Sequence, residues 1–292
     1  MPEGHTIHRL ARQLADVFGG QLLSASSPQG RFAAGAAQLD GRRLSSTQAH
    51  GKQLFATFDN AAVLRVHLGL YGAWDFGGDA SFRGASSIGA PRRVGEREVG
   101  SEESDYHGPP EPVGAVRLRL VSEHGWADLR GPSACEVLSE TEAAAIQAKL
   151  GPDPLGASGG EAEFVRRIRS SSRPIAVLLM EQNVVAGIGN VYRAELLFRN
   201  KLDPWLPGKE LTDGEARALW VDAGRLLARG VAEGRIVTTE PSDRDLPADS
   251  HYVYKRHSLP CLRCGSTVAL RELAGRKLYW CPNCQPENRA AQ

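Results

Sequence analysis

The sequence lacks any long apolar run, and no apolar segment stands near its start. A membrane-spanning helix needs roughly 18 or more consecutive apolar residues, and a secretory signal peptide needs a shorter apolar core behind a basic start. Polar and charged side chains interrupt the opening stretch, MPEGHTIHRLARQLADVF, throughout. We therefore expect a soluble protein of the cytoplasm that has no membrane partner.

The sequence has no excess of charge of one sign either. Its 35 Lys and Arg residues are balanced by 34 Asp and Glu residues, which gives a formal net charge of +1. This balance excludes a polybasic protein that coats nucleic acid, an acidic tail protein and most disordered classes. It does not exclude nucleic-acid binding, which depends on where the charges lie. With 292 residues, of which 41% are hydrophobic, the chain is long enough for two globular domains.

Cysteine is scarce and unevenly placed. A secreted disulfide scaffold would spread its cysteines along the chain, whereas four of the five here form two Cys-x-x-Cys pairs separated by sixteen residues. Two such pairs at this spacing predict one structural zinc ion in a closed tetrahedral site, with iron as the alternative. The predicted ligands are Cys261, Cys264, Cys281 and Cys284. The isolated Cys135 is interpreted as a small buried residue rather than a nucleophile.

The spacing of apolar residues divides the chain into a β-rich first half and a helical second half. Residues 5–18 predict a helix, and short apolar runs from 21 to about 75 predict strands. Strict alternation over 116–120 predicts a half-exposed strand with two arginines on one face. Helices are predicted over 143–150, 164–169, 175–180 and 190–199, and beyond a capping box formed by Thr212 and Glu215.

Basic residues concentrate around the cysteine pairs. Arg271, Arg276 and Lys277 lie between the two pairs, and Lys255 and Arg256 precede them. A zinc hairpin with a basic tip is suited to contact phosphate. The alternative is a charged hairpin that is only solvated.

The start of the chain is a candidate chemical group. A small second residue permits removal of Met1, which would leave Pro2 with a secondary amine. Such an amine is partly neutral at physiological pH and can attack an aldehyde-like carbon to form an iminium. Glu3 beside it could transfer protons as a general acid or base. Taken alone this signal is weak, because many chains begin Met-Pro without a chemical reason.

Four motifs in one order strengthen that interpretation. They are Pro2-Glu3-Gly4-His5 at the start of a helix, Gly51-Lys52 between strands, the stretch GIGNVYRAE at 187–195, and Gly275-Arg276 within the cysteine hairpin. Together they resemble the formamidopyrimidine-DNA glycosylase/endonuclease VIII family of base-excision repair enzymes. The resemblance spans nearly the whole chain apart from residues 76–114, which are rich in Gly, Ser, Pro and charge.

The resemblance implies a multi-domain α+β fold. An N-terminal two-sheet β-sandwich with a leading helix would precede a helix–two-turn–helix domain that carries a C-terminal zinc-finger β-hairpin, with DNA in the cleft between them. The boundaries that we expect are 1–135 for the catalytic sandwich with a flexible insertion at 76–114, 136–156 for a linker, 157–245 for the helical DNA-binding domain and 250–288 for the zinc finger.

The resemblance also implies residue roles. Pro2 would attack C1′ of a damaged nucleotide flipped out of the duplex, Glu3 would transfer protons at the sugar, and β,δ-elimination would follow. Lys52 matches the lysine that binds phosphate and donates the proton of β-elimination. Arg276 matches the zinc-hairpin arginine assigned to phosphate binding and δ-elimination. Asn190 matches the asparagine that grips the phosphate beside the lesion, at a helix N-terminus suited to anions. The alternatives are a solvated Lys52 and a helix cap for Asn190.

Further DNA contacts are expected from Leu70 and Tyr71, which match a segment that fills the gap left by the flipped base, although a core strand is the alternative there. Arg130 lies near a second wedge or phosphate arginine of the family, but the following Gly-Pro departs from the family pattern. Lys255 and Arg256 complete the predicted DNA contacts.

The start Pro-Glu-Gly and the pair Leu70-Tyr71 resemble the endonuclease VIII branch, which favours oxidised pyrimidines, and actinobacterial proteins of that branch in particular. His5 stands where the family usually has proline. We expect a bifunctional DNA glycosylase/AP lyase that acts as a monomer at the bacterial nucleoid on double-stranded DNA with a flipped damaged base or an abasic site. Formamidopyrimidine or 8-oxoguanine specificity, a non-catalytic damage-binding protein and an unrelated zinc-ribbon module are the alternatives.

Overall fold

The computed structural model describes residues 2–90, 108–156, 159–244 and 249–287. The chain divides into two compact units, Met1–Ala148 and Lys149–Gln292. Among the described residues, no helix is long and apolar enough to cross a membrane.

The first unit begins with helix α1, Gly4–Phe18, close to the predicted span. Its apolar residues recur every three or four positions, so one face is apolar and enters the core. Ile7, Leu10 and Leu14 on this face are fully buried, and each such side chain contributes about 1.5–3 kcal/mol relative to exposure. The helix ends at Gly19, and the next residue, Gly20, has a φ of +73°.

Nine antiparallel strands form the expected β-sandwich. In hydrogen-bonded order they are β6-β5-β8-β7-β1-β2-β3-β4-β9, so the two sheets are joined through β1. Side chains from both halves and from α1 share one apolar core. The strands are β1 Leu22–Ser26, β2 Arg42–His50, β3 Gln53–Phe58, β4 Val63–His67, β5 Ala73–Gly78, β6 Ser87–Gly89, β7 Val116–Val121, β8 Gly125–Arg130 and β9 Ala134–Leu138.

The structure differs from the sequence prediction at three places in this unit. A short helix, α2 Ala33–Leu39, interrupts the region predicted to be β. The predicted insertion 76–114 contains the end of β5 and all of β6, while its residues 91–107 lie outside the described part of the chain. The predicted linker 136–156 begins within β9, which pairs with β4, and continues into helix α3, Glu140–Gln147. Residues 136–148 therefore belong to the first unit.

The prediction of two exposed arginines on β7 is wrong for Arg119. Its guanidinium forms a bidentate ion pair with Asp128 on β8, with both nitrogen–oxygen distances at 2.7 Å. The side chains are only 10% and 6% exposed. The alternation therefore indicates a strand correctly, but a partner on a neighbouring strand allows the polar face to be buried.

The second unit combines helices with a small hairpin. The capping box predicted at Thr212 and Glu215 is present, and the helix that it starts ends at Gly234 with a φ of +71°. Buried leucines of that helix pack against the other helices in one apolar core. The elements are α4 Glu161–Arg169, α5 Ile175–Leu178, α6 Asn190–Arg199, α7 Asp213–Glu233, β10 Ala269–Leu273 and β11 Arg276–Trp280.

Asp128→Ala should lower the free energy of unfolding of the first unit by about 3–5 kcal/mol, because it leaves the buried Arg119 charge without its partner. Replacing both residues at once, by Arg119→Met with Asp128→Leu, should cost less than the single change. Urea unfolding of the three proteins measures this, and a double variant as unstable as the single one would contradict the account.

Candidate active site and metal centre

Helix α1 fixes the residues at the start of the chain. Pro2 is buried and Glu3 is 0% exposed. Glu3 occupies the N-cap position in extended backbone, and its carbonyl accepts a hydrogen bond from the Thr6 amide at 2.9 Å. Because the helix is anchored in the core, the positions of Pro2 and Glu3 are set by packing rather than by a loop.

His5 lies one residue into the same helix and was not predicted as a site residue. Its ring is buried, and Nε2 lies 3.2 Å from the Thr6 hydroxyl. Burial, with smaller contributions from the N-terminal amine, Arg9 and His8, lowers the pKa of His5 to about 4. The imidazole beside the chain start is therefore neutral at physiological pH.

Lys52 occupies the two-residue turn between β2 and β3. His50 pairs with Gln53 across this turn, and Gly51 has a φ of +58°, as a tight hairpin of this kind requires. Burial and then the charge of Lys52 lower the pKa of His67, at the end of β4. The positive charge of Lys52 thus lies near His67, whose neutral form it favours. The sequence signal for His67 was its place in the HLGLY segment.

Leu70 and Tyr71 lie in the loop between β4 and β5, and they are 45% and 70% exposed. The alternative that they belong to a core strand is therefore wrong, since β4 ends at His67. The Gly72 amide donates to the Leu68 carbonyl at 2.9 Å and closes the loop. Gly69 has a φ of +65°, and a Cβ there would lie 2.9 Å from the Ser133 side chain, so the loop requires glycine.

Arg130 is at the end of β8 and is held within the sheet. Its Nε lies 2.5 Å from Asp75 Oδ2 and its Nη2 lies 3.2 Å from Asp75 Oδ1. The structure thus gives Arg130 a partner on β5 that the sequence did not indicate. A DNA contact by Arg130 stays a prediction.

In the second unit, buried polar side chains of α6 attach the zinc hairpin. Asn190, the first residue of α6, donates its amide to the Lys277 carbonyl at 2.9 Å. Arg193, one turn later and fully buried, donates to the same carbonyl at 3.1 Å and also to Asn190 Oδ1. Lys277 follows Arg276 in β11, so the helix N-terminus and the predicted phosphate arginine are tied together. Sequence reasoning missed Arg193.

Glu195, also on α6, organises the segment before the zinc finger. Its fully buried carboxylate accepts the amides of Tyr252, Val253 and Tyr254 at 2.8–2.9 Å, and the Thr238 hydroxyl at 2.5 Å. Sequence reasoning missed this role, although an acid next to the apolar run LLF is a signal for a buried carboxylate with partners.

The two basic residues after this segment differ. Lys255 is exposed, with a φ of +59°, and its ammonium lies 5.8 Å from the centre of the Tyr254 ring. Arg256 is half-buried and pairs with Asp249 at 2.6 Å. Lys255 is therefore presented to solvent, whereas the guanidinium of Arg256 is engaged within the unit.

Arg276 is exposed at the start of β11, directly after the hairpin turn. Both turn residues, Ala274 and Gly275, have positive φ, at +50° and +70°. A two-residue turn with this geometry matches the twist of the flanking strands. The hairpin therefore has a tight, defined tip.

The four clustered cysteines converge. Their sulfur atoms all lie within 4.8 Å of one another, with Cys261 to Cys284 at 3.9 Å and Cys264 to Cys281 at 3.4 Å. Tetrahedral zinc with bonds of about 2.3 Å requires sulfur–sulfur distances of about 3.8 Å. The geometry fits one structural zinc ion, and four thiolates leave no position for substrate. Cys135 belongs to the first unit, and burial raises its pKa to about 12, so it is not a reactive thiolate.

Comparison with known proteins accounts for both units. The N-terminal domain of formamidopyrimidine-DNA glycosylases matches residues 1–130, their H2TH domain matches 150–242, and a zinc finger found in FPG and IleRS matches 258–286. "Endonuclease 8 1" of Mycobacterium tuberculosis is 41% identical over 296 residues, which cover 98% of this chain and 100% of that protein. The chain belongs to the formamidopyrimidine-DNA glycosylase/endonuclease 8 family. It is a DNA glycosylase with AP lyase activity, and its zinc finger holds one structural zinc.

Other relatives agree with this assignment. Formamidopyrimidine-DNA glycosylase of Thermus thermophilus is 30% identical over 98% of each chain. The crystal structure of the MutM (Fpg) protein from Thermus thermophilus superposes with a TM-score of 0.73 at 28% identity, covering 98% of this chain and 100% of that one. Lactococcus lactis Fpg, in a complex with DNA containing an abasic site, has the same fold. It superposes with a TM-score of 0.73 at 21% identity, over 98% of this chain and 100% of that one.

The low pKa of His5 makes the stability of the first unit of the glycosylase depend on pH. The unfolded chain binds a proton at His5 near pH 6.5, whereas the folded chain does so only near pH 4. The stabilisation is therefore present above pH 6.5 and is lost as the pH falls towards 4, by about 3 kcal/mol in total.

His5→Gln should remove this dependence. The difference in unfolding free energy between wild type and variant, from urea titrations across that pH range, measures the effect. Parallel pH curves for the two proteins would show that His5 is not buried in its neutral form.

Proposed function

We propose that this glycosylase removes oxidised bases, pyrimidines in particular, from double-stranded DNA through a Schiff base on Pro2, followed by β,δ-elimination. The observation that carries the proposal is the buried pair Pro2 and Glu3, held at the N-terminus of a helix that is anchored in the core. The preference for pyrimidines is supported by the greater identity to a protein named endonuclease 8, at 41%, than to a protein named formamidopyrimidine-DNA glycosylase, at 30%.

In the first step, with Met1 removed, the neutral amine of Pro2 forms a bond to C1′ of the flipped nucleotide and the glycosidic bond breaks. The departing base takes the bonding electrons, and it gains a proton that balances the one the Pro2 nitrogen loses as its bond to C1′ forms. Glu3 transfers protons at the sugar so that the ring opens and an iminium forms between Pro2 and C1′. The neutral state of the nearby His5 favours a neutral amine, because no second positive charge is added there.

The iminium then makes the C2′ proton acidic. Its removal expels the 3′ phosphate in β-elimination, and a second elimination expels the 5′ phosphate. We assign the proton donor of the first elimination to Lys52 and phosphate binding in the second to Arg276. Water then releases the sugar fragment and regenerates the amine.

Phosphate contacts are assigned to the second unit. The N-terminus of α6 attracts anions through its backbone N–H groups and dipole, and Asn190, Arg276 and the exposed Lys255 add polar and positive groups. Leu70 and Tyr71 are proposed to fill the gap left by the flipped base, because large exposed apolar side chains on a closed loop are suited to insertion. We propose that Arg130 and Arg256 make weaker contacts with the DNA, because each guanidinium already pairs with a carboxylate of its own unit.

The partner of this reaction is a DNA duplex with a damaged base or an abasic site, as in the Lactococcus lactis Fpg complex with abasic DNA. We propose that the enzyme acts as a monomer in the bacterial cytoplasm, at the nucleoid.

Borohydride reduction should trap the wild-type enzyme on an oligonucleotide duplex that contains an abasic site, because the iminium is reduced to a stable amine. Pro2→Leu, whose bulky second residue retains Met1, should abolish the adduct. Lys52→Met should still be trapped but should cut the strand more slowly. A denaturing gel shows adduct and cleavage together. An unchanged amount of adduct in Pro2→Leu would show that Pro2 is not the nucleophile.

Asn190→Ala and Arg276→Ala should weaken binding to duplexes with different lesions by about the same factor, because phosphate contacts carry no base information. For Arg276→Ala, the slope of log affinity against log salt should fall by about 0.9. Arg217→Ala, an exposed arginine on α7 outside the site, is the control. A loss confined to one lesion would instead assign these residues to base recognition.

A further inference from the structure

The first zinc knuckle carries a side chain that reaches away from the metal. Arg263 lies between the ligands Cys261 and Cys264, and its guanidinium carbon stands 4.6 Å from the centre of the Tyr252 ring and 5.5 Å from that of Phe198. The side chain is 32% exposed. A partly desolvated guanidinium over two aromatic rings is a favourable cation–π arrangement.

The Tyr252 hydroxyl is the centre of a hydrogen-bond network. It donates to Asp243 Oδ2 at 2.5 Å and accepts from the Glu240 amide at 3.0 Å and from Arg263 Nη2 at 3.3 Å. One donor and two acceptor positions are what a phenol offers, so the group is fully used. Arg263 therefore connects the knuckle to the 240–244 turn through Tyr252, and also directly, because its Nε lies 3.4 Å from Asp243 Oδ2.

The same tyrosine is held from a second side. Its backbone amide, with those of Val253 and Tyr254, donates to the Glu195 carboxylate on α6. Phe198 of the same helix stacks on the Tyr252 ring at 4.8 Å between centroids. Helix α6 thus fixes the backbone of this segment and one face of the Tyr252 ring, while Arg263 of the knuckle adds a contact to the ring and a hydrogen bond to its hydroxyl. The exposed Lys255 follows directly.

We propose that Arg263 is a positioning residue, through which the zinc knuckle holds residues 240–244 and 250–254 in the conformation that presents Lys255. The zinc ion would then support two separate groups of the second unit, the hairpin tip with Arg276 and the segment that precedes the finger. The use of Lys255 as a phosphate contact rests on the proposed function. The link from zinc to residues 240–254 does not.

Amide hydrogen exchange of the full-length zinc-loaded protein tests the link. Arg263→Ala should keep one metal per chain, and after cobalt substitution it should keep the absorption of a tetrahedral thiolate site. Exchange in peptides covering 240–244 and 250–254 should become at least about tenfold faster. Arg263→Lys, which keeps the charge but loses the planar fork, should lie between Arg263→Ala and wild type.

The matched control is Arg271→Ala, which removes a guanidinium placed 5.7 Å from the Trp205 ring, on the hairpin rather than the knuckle. It should leave exchange in 240–244 and 250–254 unchanged. Removing zinc from the wild type should accelerate the same peptides, because Tyr252 and Val253 also pack against Cys261 and Cys281. Wild-type exchange in Arg263→Ala with the metal bound, or equal acceleration in Arg271→Ala, would overturn the proposal.

Binding to a duplex with a tetrahydrofuran abasic-site analogue tests the role of Lys255. Lys255→Ala and Arg263→Ala should each weaken binding and lower the salt slope, and the double variant should bind no more weakly than Lys255→Ala alone. If the losses of binding free energy in the two single variants add fully in the double variant, Arg263 does not act on DNA binding by positioning Lys255. Unchanged binding by Lys255→Ala would contradict the proposed phosphate contact, while the exchange experiment would still decide the link to zinc.

Discussion

Burial of one face of α1 in the sandwich core is the interaction on which the first unit depends. The helix contributes Ile7, Leu10, Leu14 and Phe18 to the core shared by both sheets. The same packing fixes the start of the chain, where Glu3 occupies the N-cap position of the helix. A backbone amine has no side chain to aim it, so a reaction at Pro2 requires a rigid element immediately after it. Core packing and the proposed chemistry therefore rest on the same helix.

Helix α6 has the corresponding place in the second unit, but it acts through polar groups. Asn190 and Arg193 attach β11 through one carbonyl, and Glu195 gathers three consecutive amides. Buried polar groups are costly unless every hydrogen bond is made, and once made these bonds admit little alternative geometry. The orientation of the zinc hairpin and of the segment before it thus follows from directional bonds, in addition to apolar contact.

The sequence predicted the elements whose signals are local. These include α1, α6, the capping box of α7 and the zinc ligands, whereas the loop that carries Leu70 lies in a region predicted to be β. What it could not predict depends on partners distant in the chain. Arg119 is buried because Asp128 faces it on the next strand, and β9 is part of the sheet because β4 offers an edge. For the candidate site, residue types and order were sufficient to propose Pro2, Glu3 and Lys52, whereas the roles of Arg193 and Glu195 required the fold.

The proposed reactive group is the amine of the chain's own second residue. The most direct measurement is mass-spectrometric peptide mapping of the borohydride-reduced adduct formed on abasic DNA. We expect a sugar remnant on the N-terminal peptide that begins with Pro2, with Met1 absent. A remnant on Lys52 or on any other lysine, with an unmodified Pro2, would contradict it.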